Sequence, residues 1–288
     1  AHSGSVSISS GSSLHTAGKV ILAAGQSLGE GPSGDVGISG GSALASGTGG
    51  NLSLEGGNSN LREGGAVSIS AGMSGPEASG ATVSLSAGTG QVRGGTGGAI
   101  RLTAGYQDST GEGGALELNG GPSSLGIGGR VVVQSGGGVL GGGDLLLATK
   151  GNPGAGLSGN VQLTSGTGPS DGSGAVSIAT GASSGNSGTI HITPGAASMG
   201  PGAEVVVSAG DTVEGLTGGS LQMVSGSSQS AFGVGGRATL TAGEGGSTGG
   251  DLNLSSGIGT SRFSSSGAVK VSSPSSDGTS GVVSITSG

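Results

Sequence analysis

One eight-residue pattern, G-x-φ-x-φ-x-s-G, recurs along the whole chain, with φ Val, Ile or Leu and s a small residue. Its eight places are called positions 1 to 8. One copy is Gly65-Ala66-Val67-Ser68-Ile69-Ser70-Ala71-Gly72, and the final one runs from Gly281 to Gly288. Nineteen copies follow one another at steps of 14 to 17 residues, with a mean of about 15.4. Internal periodicity of this kind marks a repeat architecture. It also weighs against reading the 74 glycines in 288 residues as plain disorder.

Within each repeat, apolar and other residues alternate with period two, the signature of a strand. Side chains two apart share a strand face. One face of each repeat therefore carries Gly, φ, φ, small, and the other is mostly polar or small. The clusters of Gly, Ser, Asn and Pro between repeats are turn material. No stretch has a helical period. The spacing predicts an all-β fold: a parallel β-solenoid of about 19 short strands, two to a coil, with almost no helix. A three-strand coil and an antiparallel meander are the alternative arrangements.

The expected core consists of the paired φ residues. In the N-terminal half these are Val6 and Ile8, Val20 and Leu22, Val36 and Ile38, Leu52 and Leu54, Val67 and Ile69, Val83 and Leu85, Ile100 and Leu102, Leu116 and Leu118, Val131 and Val133, and Leu145 and Leu147. They continue as Val161 and Leu163, Val176 and Ile178, Ile190 and Ile192, Val205 and Val207, Leu221 and Met223, Leu252 and Leu254, Val269 and Val271, and Val283 and Ile285. Glycine and small residues at the rims imply a lens-like cross-section in which backbones approach closely. A lone repeat buries too little to fold, so stability must come from stacking. Larger apolar residues between repeats (Leu14, Leu28, Leu61, Leu125, Leu157, Phe232) are expected to tuck over the coil edges, with lateral contact between neighbouring rods as the alternative.

Residues 1–288 read as a single continuous repeat array. No polar cap stands at either end, so a segment of a longer repeat protein, or ends that join other copies, is expected. The first residue is not methionine, which suggests an upstream segment that has been removed. The net charge of −7 is spread thinly and forms no basic patch for nucleic acid or membrane surfaces. No apolar run is long enough for membrane insertion. With no cysteine, disulfides and thiolate metal sites are excluded.

Chemistry is sparse. His2, His15 and His191 have no partners at metal-binding spacing. The runs Gly136-Gly137-Gly138 and Gly141-Gly142-Gly143 lack the helix and lysine of a phosphate loop. Asp35, Asp144 and Asp251 each follow a repeat's first glycine, faintly like calcium-binding nonapeptide arrays, but the period is wrong. The acids are scattered and the aromatics are only Tyr106, Phe232 and Phe263, which argues against a glycosidase. No catalytic, cofactor or metal residue is assigned, and no enzyme is expected. Asn51 and Asn253 open the sequons Asn51-Leu52-Ser53 and Asn253-Leu254-Ser255, the candidate N-glycosylation residues.

Repeats such as Val6-Ser7-Ile8-Ser9-Ser10-Gly11 and Val176-Ser177-Ile178-Ala179-Thr180-Gly181 resemble the Gly/Ser-rich β-solenoid repeats of extracellular filament and surface proteins of microbes and algae. The resemblance spans the chain and implies a structural protein outside the cell or on its surface. The implied partners are other copies end to end, or the rest of a longer chain, with glycans as further candidates. A binding module, either an ice-binding protein or a polysaccharide-binding adhesin shaft, is the alternative. The slots between the φ residues form no regular threonine lattice, which weighs against ice.

Overall fold

The computed structural model describes residues 3–91, 94–151, 154, 157–168, 172–214 and 217–287. The chain divides into two units, Ala1–Leu147 and Ala148–Gly288. Each is built in the same way. Every turn and bend among the described residues falls in a loop between repeats, and the repeats themselves carry none.

The loops are closed at their base by glycine. At twelve junctions, position 1 of one repeat donates its backbone N–H to the position 8 carbonyl of the repeat before it. Gly34 donates to Gly25 at 2.9 Å, Gly65 to Gly57 at 2.7 Å and Gly219 to Gly210 at 2.9 Å. The partners are 7 to 10 residues apart in sequence. Position 1 and position 8 of one repeat are always seven apart, so all variation in the 14–17-residue step lies in the loops between repeats.

The expected solenoid is not formed. Among the described residues there is no strand and no helix. Neither the all-β class nor the description as a β-solenoid holds. Coils in a solenoid are held by a ladder of backbone bonds along each strand. Here successive repeats are bonded at their ends, and the bonds do not continue to positions 3 and 5.

No described residue is buried, so the lens-like core is not assembled within the chain. The total accessible surface is 28579 Å². A compact monomer of 26.1 kDa would expose about 10,600 Å². The period-two alternation nonetheless persists. Ile21 is 81% exposed between Val20 at 58% and Leu22 at 73%. Leu146 likewise is more exposed than Leu145 and Leu147 on either side.

Candidate functional site

The recurring structural element is the junction between repeats. At 17 of the 18 junctions, position 1 either bonds to the preceding repeat or would set a Cβ against its position 7 side chain. A Cβ on Gly98 would stand 3.1 Å from the backbone nitrogen of Gly88 and 3.2 Å from Ala87 Cβ. One on Gly65 would stand 2.9 Å from the nitrogen of Gly57. Junctions without a closing bond keep this neighbourhood: Gly18 lies against Ser10, and Gly188 against Thr180.

Position 8 is the opposite case, although the sequence also places glycine there. Gly25, Gly57, Gly72 and Gly88 would each carry a Cβ with no atom within 4 Å. The exceptions follow this asymmetry. Position 8 holds Lys150 and Pro274, whereas the only departures at position 1 are Ala81 and Ala203. Ala81 lengthens its closing bond to 3.3 Å. Ala203, which follows a repeat ending Pro194-Gly195, makes no such bond.

The loop tips present apolar side chains. Leu14, Leu28, Leu61, Leu125, Leu157 and Phe232 are all almost fully exposed. They do not tuck over an edge, because no coil edge exists to cover. Both phenylalanines occupy equivalent places, six residues beyond Gly226 and Gly257, in loops that close ten residues later on Gly236 and Gly267. Each sits in a tight turn. The Gly233 N–H donates to the Ser230 carbonyl at 2.9 Å, and the Ser264 N–H to that of Ser261 at 3.1 Å. The Ser264 hydroxyl also donates to Ser261, at 2.6 Å.

Phe263 has φ of 70°, in the left-handed region that disfavours bulky side chains. Gly94, six residues beyond Gly88 in the other ten-residue loop, has φ of 79°. Two of the three ten-residue loops thus take the left-handed conformation at this place, which Gly94 adopts freely and Phe263 only under strain, whereas Phe232 does not adopt it. Equal loop lengths and the shared Ser-x-Phe were signals for this pair in the sequence, and the alternation within repeats obscured them.

The remaining candidates are not brought together. No group of three or more His, Asp or Glu that could hold a metal occurs among the described residues. His15 and His191 are exposed in separate segments, and His2 lies outside the described residues. Asp35, Asp144 and Asp251 are exposed at position 2 of three different repeats. Gly136 and Gly143 close a loop at 2.8 Å, with a turn from Gly141 to Gly138 inside it, so this glycine run serves chain reversal. Asn51 and Asn253 are both exposed. In the first sequon, the Ser53 hydroxyl donates to Glu55 Oε1 at 3.1 Å. No helix among the described residues is long and apolar enough to cross a membrane. No protein-family model matches the chain, and comparison with curated proteins and with solved structures finds no relative.

Proposed function

We propose that this chain is a structural repeat protein, a building block of an extracellular filament or cell-surface appendage. The observation that carries the reading is the recurrence of one glycine-closed junction at repeat after repeat. Repeat arrays gain stability by multiplying one local interaction between neighbours. Here that interaction involves backbone and small residues only, with no reactive group in it. The part played by the chain is then mechanical and cumulative. Partners are further copies or further repeats of the same kind, and no catalytic step is assigned.

The test is imaging of native material with an antibody raised against the chain. Labelled fibres or surface structures are the expected result. Label confined to dispersed single molecules would contradict it.

A second reading, a polysaccharide-binding shaft, is favoured by one observation. Phe232 and Phe263 are almost fully exposed at matching places in two loops of equal length. An exposed aromatic ring offers an apolar face on which a sugar ring could lie. Retention of the purified chain by insoluble polysaccharide, lost on replacing both phenylalanines with alanine, is the discriminating result.

A further inference from the structure

We propose that Asn119 is a site of spontaneous covalent modification: it cyclises onto Gly120, and one product lengthens the main chain beside the Gly121–Gly129 junction. Three observations carry this, independently of the structural reading above.

The first is the pair itself. Of the eight asparagines, Asn119 alone is followed by glycine. Ring closure requires the backbone nitrogen of the next residue to reach the asparagine Cγ, and a side chain on that residue stands in the way. Glycine has none. Asn58 and Asn186 precede serine, and the other five precede Leu, Val or Pro.

The second is freedom. Asn119 is exposed. Neither its side chain nor the Gly120 N–H makes a hydrogen bond among the described residues. No strand or helix holds the segment. The nitrogen is therefore available as a nucleophile, and turning it toward Cγ breaks no ladder bond.

The third is that the junction requires the glycine. A Cβ on Gly120 would overlap the carbonyl oxygen of Gly129. The same holds for Gly40 against Gly50 and Gly56 against Gly65, in the other two repeats with glycine at position 7. The two shortest closing bonds, Gly65 to Gly57 and Gly129 to Gly121 at 2.7 Å, both follow such a glycine. Gly40 and Gly56 are preceded by Ser39 and Glu55, which have no side-chain amide. Close packing thus fixes glycine after the one asparagine that it leaves reactive.

The chemistry needs only water. The Gly120 nitrogen gives its proton to solvent and attacks Asn119 Cγ. The N–Cγ bond forms, the Cγ–Nδ2 bond breaks, and Nδ2 leaves as ammonia with a proton from solvent. Water then adds to one carbonyl of the succinimide. Breaking the new N–Cγ bond gives aspartate. Breaking the original bond to the main-chain carbonyl carbon gives isoaspartate, whose main chain runs through the former side chain and is one carbon longer. Nothing is oxidised or reduced. The extra carbon enters just before Gly121, the acceptor of a 2.7 Å closing bond, and shifts it from its partner.

The test is incubation of the full native chain in buffer, with peptide mapping by mass spectrometry and isoaspartate-specific methyl labelling. Conversion at Asn119 should run about tenfold faster than at Asn58 or Asn186, and at nearly the rate found in the chain unfolded in denaturant. Asn119→Gln, which must close a larger and slower ring, should abolish it. Exchange protection at amide 129 should be lost in the isoaspartate fraction and kept in aged Asn119→Gln. Fresh Asn119→Asp, with the charge but the normal main chain, should also keep it. Equal conversion at all three asparagines, conversion several-fold slower in the native chain than in the unfolded one, or full protection at amide 129 in the isoaspartate fraction each overturns the proposal.

Discussion

The backbone N–H of Ala81 reaches the carbonyl of Gly72 across 3.3 Å, whereas the equivalent bond from Gly65 to Gly57 spans 2.7 Å. The two junctions differ at position 1, Gly65 against Ala81, and also at position 7 of the preceding repeat, Gly56 against Ala71, and by one residue in loop length. At several glycine junctions a Cβ would fall about 3 Å from a backbone nitrogen, as at Gly65 and Gly114. Alanine at this place holds the two segments apart. The pair shows the steric reason for glycine at position 1, and it sets the direction of two substitutions.

Gly65→Ala should lengthen its junction toward the Ala81 geometry, and Ala81→Gly should shorten the other. A net backbone hydrogen bond contributes about 1 kcal/mol. Exchange protection at amide 65 should therefore fall about fivefold in the first variant, and rise by a similar factor at amide 81 in the second. Residue-resolved hydrogen exchange measures both. Unchanged protection in both variants would show that close approach does not govern the junction.

Position 8 should behave differently despite carrying the same residue. Nothing lies within 4 Å of a Cβ on Gly72. Its φ is not in the positive region either. Gly72→Ala should leave the 72–81 closure intact. By restricting the unfolded chain it should add about 0.4–1 kcal/mol of stability. Denaturant titration beside Gly65→Ala reads the contrast, with opposite signs expected.

Phe263→Gly should relieve a left-handed residue worth roughly 1–2 kcal/mol, offset in part by glycine's own entropy cost of about 0.5–1 kcal/mol. A small net gain in order at the Ser261–Ser264 turn is expected, read as slower exchange of amide 264. Phe232, which does not have positive φ, should show no such gain on the same substitution. Loss of polysaccharide retention together with that gain would mean that strain at Phe263 serves contact rather than folding.

Much of the local order was legible in the residues. The repeat boundaries, the alternation seen at Val20, Ile21 and Leu22, and the close approach allowed by Gly65 all follow from neighbours in sequence. The solenoid did not follow. Alternation states that Val67 and Ile69 share a face, but it is silent on what that face meets. It served equally for a partner in the same chain and one in another copy. The two glycines of each repeat also looked alike as letters. Their separation into a crowded and an open place depends on where the preceding loop returns, which no single repeat encodes. The pairing of Phe232 with Phe263 was hidden for a related reason: it is a property of loop length, and attention to the repeats treats loops as spacers.

The central claim is that order in this chain resides at glycine junctions and not in ladders along the repeats. Amide hydrogen exchange of the full chain, resolved by residue and diluted until it is monomeric, tests this most directly. The expected result is a protected amide at position 1 of every closed loop, as at Gly34, Gly50, Gly65 and Gly98, joined only by inner-turn amides such as Gly233 and Ser264, with positions 3 and 5 exchanging freely. Protection at Val67 and Ile69 equal to that at Gly65 in the monomer would contradict it, because it would require a continuous ladder between repeats.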